Sequence, residues 1–172
     1  MGVKGNAILG LITLAAFIGC GLMAQAQESQ VDYDGFVGLS AEISDYRSSR
    51  LVDLDTFNEM KADSDTIILD TRSAEAYRLG HIDGAAHLNF SDFTDDKLAQ
   101  LIPSKDTRIL IYCNNNFTDN VAPVPVKRIE LALNVPTFIN LYGYGYENIY
   151  ELDGAYPLAE PAIHWVGEVS PL

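Results

Sequence analysis

The sequence predicts an α/β domain in which an open, mostly parallel sheet is flanked by helices. Thr66–Leu69 and Arg108–Tyr112 are short runs of apolar and β-branched residues, typical of strands buried on both faces. Capped helical segments separate such runs, and strands that alternate with helices pair in parallel through right-handed crossovers. The length of 172 residues and the hydrophobic content of 48% fit one ordinary globular domain.

The other elements are predicted in chain order from caps, breakers and apolar periodicity. In the first half they are an edge strand at Leu51-Val52, a helix over Thr56–Ala62 capped by Asp55, and a helix from Ser73 through Leu79. In the second half they are a strand at Ala85–Leu88, a helix from Asp92 or Thr94 to Leu101, a helix from Pro136 to about Tyr144, and a strand at Asn148–Leu152.

Four parts are predicted along the chain. Residues 1–26 are predicted to be a signal peptide, residues 27–50 a polar and irregular N-terminal arm, residues 51–155 the α/β domain, and residues 156–172 a C-terminal tail. The first part combines Lys4, an uncharged segment and Ala24-Gln25-Ala26, the three features of a secretory signal. We therefore expect an exported protein, in the bacterial periplasm.

Two alternatives to signal cleavage stay open. Phe17-Ile18-Gly19-Cys20 is similar to a loose lipobox, so Cys20 could carry a lipid and anchor the protein. The apolar segment also reaches the lower length limit of a membrane-spanning helix, which would make it an uncleaved anchor. We expect membrane contact only through this segment or through the lipid.

The net charge argues against nucleic-acid binding. Lys and Arg total 11 and Asp and Glu total 24, giving a net charge of -13. Nucleic-acid binding needs a basic surface, so no nucleic-acid partner is expected.

His87 and His164 have no partners at ligand spacing, so neither a metal nor another cofactor is expected.

Cys113 would be the only thiol left after signal cleavage. A single cysteine cannot form an internal disulfide, so Cys113 is either buried and inert or kept for its reactivity. It directly follows the strand Arg108–Tyr112. Functional groups in parallel sheets gather outside the carboxyl ends of strands, which favours the reactive interpretation.

Three segments carry a family resemblance. They are Asp70-Thr71-Arg72 followed by Glu75, Tyr77 and Gly80-His81-Ile82-Asp83-Gly84-Ala85; then Tyr112-Cys113; then Tyr146 to Gly154. Together they strongly resemble the signature of rhodanese-like domains. The resemblance implies the rhodanese-like open sheet, and it extends over nearly the whole predicted domain.

This resemblance implies a sulfurtransferase in which Cys113 is catalytic. Its thiolate would take sulfane sulfur from a small donor as a persulfide and pass it to a thiol or protein acceptor. This chemistry needs a lowered thiol pKa, supplied by loop N–H groups and a helix N-terminus. The motif residues are expected to be structural: Asp70 and Arg72 making an ion pair or backbone hydrogen bonds that fix the strand end, a hydrogen-bonded His81, turns at Gly80 and Gly84, and Glu75 on the helix.

The loop after Cys113 departs from the family pattern. It contains no glycine and no basic residue before Lys127. We expect Asn114, Asn115 and Asn116 to replace glycine in an anion-binding nest, through positive φ or side-chain amides. The alternative is that the three asparagines form only a polar turn. Phe117 and Thr118 complete the predicted substrate-binding set, although Phe117 could equally pack in the core. The absence of a loop cation predicts weak use of the thiosulfate dianion.

The segment Lys127–Leu133 alternates apolar and polar residues, which predicts a strand or an extended flap. Counted from Cys113, the loop before the next helix is longer than ordinary βα connections.

The sequence allows one other function and argues against two more. A non-catalytic periplasmic rhodanese-like module that binds a partner or senses redox state stays open, because the loop is altered. A cysteine phosphatase or arsenate reductase would need an arginine six residues after the cysteine, where this chain has Asp119. A cysteine hydrolase would need a partnered histidine, which no motif supplies.

Overall fold

The computed structural model describes residues 1–2 and 28–168. The chain divides into two compact units, Met1–Asp32 and Tyr33–Leu172, and the elements below belong to the second. The predicted signal segment and the Cys20 lipidation site lie outside the described residues, apart from residues 1–2. No helix in the described part is long and apolar enough to cross a membrane.

Six helices and seven strands make up the described part of the second unit. The helices are α1 (Tyr33–Glu42), α2 (Ser44–Ser48), α3 (Leu54–Lys61), α4 (Ala74–Leu79), α5 (Asp95–Leu101) and α6 (Asn134–Gly143). The strands are β1 (Leu51–Val52), β2 (Thr66–Asp70), β3 (His81–Ile82), β4 (Ala86–His87), β5 (Arg108–Tyr112), β6 (Ile149–Leu152) and β7 (Trp165–Val166).

Five of the strands form a parallel sheet in the order β1-β6-β5-β2-β4. The predicted fold, a mostly parallel sheet flanked by helices, is confirmed. The longest pairing joins β2 to β5, from Thr66 opposite Arg108 to Asp70 opposite Tyr112. Cys113 therefore lies just beyond the carboxyl end of the central strand.

The helix caps mostly follow the predicted residues. The side chain of Ser73 caps α4 and that of Thr94 caps α5. The cap of α3 is Asp53, whose carboxylate accepts from the Thr56 amide, and not Asp55 as predicted. Both aspartates can accept such a bond, so the choice depends on where the preceding strand ends.

The prediction of an irregular segment over residues 27–50 is wrong for residues 33–48, which form α1 and α2. Ile43, between these helices, is 2% exposed in the same apolar cluster that Leu39 and Tyr46 contact. Short helices with weak periodicity gain most of their stability from tertiary packing, which explains why the sequence pattern did not show them.

Alternate residues of β5 point to opposite faces of the sheet. Ile109 and Ile111 enter one apolar cluster with α5 and α6, while Leu110 and Tyr112 enter another with α3. Glu151 lies opposite Ile111 in the neighbouring strand. Glu151 and Cys113 therefore share the α6 face, and Asp70, opposite Tyr112, belongs to the other face.

The C-terminal segment is ordered as far as it is described. β7 pairs antiparallel with β3, a two-stranded sheet that the sequence did not predict. A Cβ atom on Gly80 would lie 2.5 Å from the Trp165 ring. The φ of Gly80 is 170°, an extended conformation, so its glycine is needed for this close approach and not for a turn.

Candidate active site

Main-chain amides converge on the Cys113 sulfur. The backbone N–H groups of Asn115, Leu133 and Asn134 are close enough to Sγ to act to lower the pKa of the thiol, and the last two belong to the N-terminus of α6. This is the predicted arrangement of a loop and a helix N-terminus around the sulfur. Such donors stabilise a sulfur anion.

The thiol is nevertheless buried and not acidic, against the prediction. Cys113 is 1% exposed. Burial raises the pKa of the Cys113 thiol, as does the nearby Glu151 carboxylate, and together they outweigh the three amides. Desolvation disfavours the charged form of any group, so the resting state holds the neutral thiol.

Cys113 forms part of the wall of a cavity of about 310 Å³. Its charged lining residues are Arg47, Glu151 and Asp153. Arg47 Nε donates to Glu151 Oε2 at 2.8 Å and Nη2 donates to Oε1 at 2.7 Å. The pair is asymmetric in exposure, with side chains 32% and 8% exposed respectively. The loop after Cys113 supplies no cation before Lys127, and the basic residue of the cavity comes instead from α2.

Polar side chains connect this ion pair to the cysteine. Asn134 Nδ2 donates to Glu151 Oε1 at 3.2 Å and to Asn116 Oδ1 at 3.1 Å. Asn116 Oδ1 also accepts from the Cys113 amide at 2.9 Å. The network fixes the position of the Cys113 backbone relative to the ion pair.

The three asparagines build the loop differently from the prediction. They form one 3-10 turn, and the non-glycine residues with positive φ in the described part are Asn120 and His164. Their side-chain amides donate to backbone carbonyls, at Pro125 from Asn114, at Lys127 from Asn115, and at Leu152 and Gly154 from Asn116. They brace the loop, and main-chain N–H groups contact the sulfur instead.

Phe117 and Thr118 do not line the cavity beside Cys113. Phe117 is 1% exposed and packs edge-on against Tyr112 and Trp165, so its aromatic ring serves the core. Thr118 is exposed, and its amide donates to the Tyr156 carbonyl at 3.0 Å. Their predicted substrate contacts have no support in this arrangement.

The predicted strand or flap over Lys127–Leu133 is a 3-10 turn at Ile129–Leu131 with flanking loop. Ile129 and Leu131 are exposed, so their alternation does not mark one buried face. A second cleft of about 320 Å³ lies on the other side of the asparagine turn, and both clefts share Asn115. Lys127 lines this second cleft.

The predicted Asp70–Arg72 ion pair is present, on the other face of the sheet. Arg72 Nη2 donates to Asp70 Oδ2 at 2.6 Å, and the side chains are 2% and 0% exposed. Tyr112 Oη donates to the same carboxylate oxygen at 2.6 Å. Burial alone would lower the pKa of Arg72, but hydrogen bonds and charge from Asp70 raise it. The guanidinium stays charged and serves as a structural cross-link.

The remaining motif residues are placed around this cross-link. His81 Nδ1 hydrogen-bonds to the Tyr77 carbonyl at 2.8 Å and its ring stacks on Tyr77, consistent with the predicted structural role. Gly84 has φ of 82°, the left-handed conformation expected of a turn glycine. Glu75 is exposed in the first turn of α4, where a carboxylate favours the helix dipole.

Sequence reasoning missed Arg47, Glu151 and Asn134 as cavity residues. Glu151 offered a signal, because a carboxylate inside the apolar strand Ile149–Leu152 needs a partner. Arg47 offered none, since it is 104 residues away in sequence. In the described residues, no group of three or more His, Cys, Asp or Glu side chains is placed to hold a metal.

Comparison with known proteins gives relatives of this fold. A tRNA uridine(34) hydroxylase of Bdellovibrio bacteriovorus is 32% identical over 98 residues, covering 55% of this chain and 23% of the relative. The chain thus spans less than a quarter of that protein's length.

The solved structures that are similar to this chain have lower sequence identity with it. A Rhodanese_3-like domain from Anabaena sp. is 24% identical with a TM-score of 0.37, covering 52% of this chain and 78% of that one. A protein of Bacillus halodurans is 21% identical with a TM-score of 0.43, covering 69% and 77%.

The sequence model of the rhodanese-like domain matches residues 53–158, more than half of the chain. This match contains the Asp70–Arg72 cross-link, the central strand and Cys113. The chain therefore belongs to the rhodanese-like domain family.

Proposed function

We propose that the protein is a sulfurtransferase that carries sulfane sulfur as a persulfide on Cys113. The observation that carries the proposal is the convergence of three main-chain N–H groups on Sγ at the N-terminus of α6. These donors are positioned to stabilise negative charge on the sulfur or on the outer sulfur of a persulfide. No second catalytic side chain is required by this chemistry.

The reaction has two balanced displacements. The Cys113 thiolate attacks the outer sulfur of a donor R–S–SH, which forms Cys113–S–SH and releases the thiolate RS⁻. An acceptor thiolate then attacks the outer sulfur, forms its own persulfide and restores the Cys113 thiolate. The raised pKa of the Cys113 thiol makes its deprotonation part of the first step. The donor and acceptor are proposed to be a small sulfur compound and a thiol or protein thiol.

The direct test is the mass of the protein after treatment with a sulfur donor. We expect a gain of about 32 Da, one sulfur atom, on the Cys113 peptide, and loss of both the gain and the transfer activity in Cys113→Ser. An unmodified Cys113 peptide with every donor tried, including thiosulfate and the persulfide of a neutral thiol, would contradict the proposal.

The burial of Cys113 favours a second candidate, a non-catalytic module that binds a partner or senses redox state. A binding module would keep its partner in Cys113→Ser and carry no persulfide. A tRNA-directed function, as in the name of the relative, is not proposed, because the net charge of -13 opposes binding of a polyanion.

We also propose export to the periplasm, from the signal-like segment at residues 1–26. Intact-mass measurement of protein from the native host tests this. Removal of residues 1–26 supports cleavage, a lipid on Cys20 supports the lipoprotein alternative, and the full mass contradicts both.

A further inference from the structure

An ion pair lines the cavity beside Cys113, and its arginine lies outside residues 53–158, the part of the chain that matches the rhodanese-like domain. Arg47 lies on α2, upstream of residues 53–158, and its guanidinium reaches the Glu151 carboxylate with two hydrogen bonds. Arg47, Glu151 and Cys113 all line the same cavity. Helix α2 thus completes the wall of the cavity beside Cys113.

The charges facing the cavity come from two parts of the chain. Arg47 is the cation, supplied by α2, and Glu151 and Asp153 are the anions, supplied by β6 and the residue after it. The lining residues from α6 and from the loop after Cys113 are Asn115, Asn116, Ile129, Ala132, Asn134 and Val135. None of these six is ionisable, so the cavity has one more negative than positive charge.

Arg47 is therefore poorly placed to recruit an anion as long as Glu151 faces it. Its Nε and Nη2 donate to Glu151, and a doubly hydrogen-bonded carboxylate cancels most of the guanidinium field. Glu151 Oε1, which accepts from Arg47 Nη2, also accepts from Asn134 Nδ2, and this bond helps to hold the carboxylate in place. The Glu151 side chain is 8% exposed, so little water reaches its carboxylate to screen the charge.

We propose that the Arg47–Glu151 pair is the specificity determinant of the Cys113 site, which excludes anionic sulfur donors and admits donors of lower charge. The proposal rests on the sulfurtransferase function for its biological meaning. The charge selectivity itself concerns any small reagent that reaches Cys113. The predicted substrate class is the persulfide of a neutral thiol, in preference to thiosulfate.

The test compares two alkylating reagents of nearly equal size, neutral iodoacetamide and anionic iodoacetate. The rates are measured on the full chain by mass spectrometry of the Cys113 peptide, which separates it from Cys20. The ratio of the two rates removes the dependence on thiolate content, because both reagents attack the same thiolate. Wild type is expected to prefer iodoacetamide more strongly than a free cysteine does.

Glu151→Gln is expected to raise the relative rate of iodoacetate about three- to tenfold, since it frees the charge of Arg47. The double variant Arg47→Met/Glu151→Gln is expected to lose that gain. Asp63→Asn removes the carboxylate of a matched ion pair with Arg108, 3.1 Å long and at the other end of β5, and is expected to change nothing.

An equal gain in the double variant would overturn the proposal, because the gain would not require Arg47. An unchanged ratio in Glu151→Gln, with the variant folded by circular dichroism, would also overturn it. A parallel assay compares thiosulfate with the persulfide of a neutral thiol in the same variants. If no donor modifies Cys113, the sulfurtransferase proposal fails, while the alkylation ratio still decides the charge selectivity.

Discussion

Two arginine–carboxylate pairs lie on opposite faces of the central sheet, one buried and one partly exposed, and they serve different tasks. Arg72 and Asp70 are two residues apart in sequence and are 2% and 0% exposed. Arg47 and Glu151 are 104 residues apart and are 32% and 8% exposed. The first pair is almost fully buried, although Arg72 borders the second cleft, and the second pair lines the Cys113 cavity.

The difference lies in how completely each guanidinium is satisfied. Besides Asp70, Arg72 donates to the carbonyls of Gly80 and Pro123 and lies over the rings of Tyr112 and Trp165. The described residues place no acceptor other than Glu151 against Arg47. A guanidinium with several protein acceptors is held rigidly as a cross-link, whereas one that is bound by a single carboxylate beside a cavity can also act on a ligand.

The largest expected effect is that of Arg72→Met. It leaves the Asp70 carboxylate buried without its counter-charge, which should lower the free energy of unfolding by about 3–5 kcal/mol. Urea unfolding measures this. Arg108→Met breaks a pair whose side chains are 32% and 48% exposed and should cost below about 1 kcal/mol. Equal losses in the two variants would show that burial of the Arg72 pair does not determine how much the pair contributes to the free energy of unfolding.

Arg47→Met is expected to cost less, about 2 kcal/mol, because Glu151 keeps Asn134 and some contact with solvent. Adding Glu151→Gln should recover at least half of this loss, since the uncompensated charge is removed. The measurement is a double-mutant cycle by urea unfolding. Additive losses would show that the two side chains are not coupled in solution.

Gly80→Ala tests the enclosure of the Arg72 pair without touching its charges. The new Cβ would overlap the Trp165 ring, and we expect a loss of about 1–2 kcal/mol from displacing that ring. Thermal unfolding and Trp fluorescence report it. Gly38→Ala is the control, because a Cβ there meets nothing within 4 Å in α1. A red-shifted emission in Gly80→Ala alone would locate the change at Trp165.

The smallest expected effect on stability comes from the Cys113 thiol. Burial and Glu151 raise its pKa, so the folded protein keeps a proton that the unfolded chain releases. This contribution is fully present below the ordinary thiol pKa and is lost as pH rises through the raised pKa. Alkylation of folded Cys113 should accordingly accelerate at higher pH than alkylation of the urea-unfolded chain. Identical profiles would contradict the burial argument.

Local signals in the sequence specified much of the scaffold. The apolar runs of β2 and β5 predicted buried parallel strands, and Ser73 and Thr94 predicted helix caps that the structure contains. The Asp70–Arg72 pair was predictable because its partners are separated by a single residue. In each case the interacting groups are close along the chain, so the pattern itself contains both partners.

The asparagine loop shows where local reasoning fails. Consecutive asparagines suggested positive φ or amides directed at the sulfur, but their side chains bind carbonyls 11 or more residues away. Likewise, α1 and α2 were missed because Ile43 is buried in a cluster with residues far away in sequence, such as Phe138 and Ile149. The asparagine contacts and the two helices depend on partners that are distant in sequence, and a short-range sequence pattern cannot identify those partners.

The sequence by itself determined the α/β scaffold, the position of Cys113 at the end of the central strand and the structural role of Asp70 and Arg72. Only the tertiary structure decided that Arg47 and Glu151 meet beside Cys113 and that the thiol is buried. Strand periodicity and capping are properties of neighbouring residues. Burial, and the charges that face a given atom, are set by segments that come together only when the chain has folded.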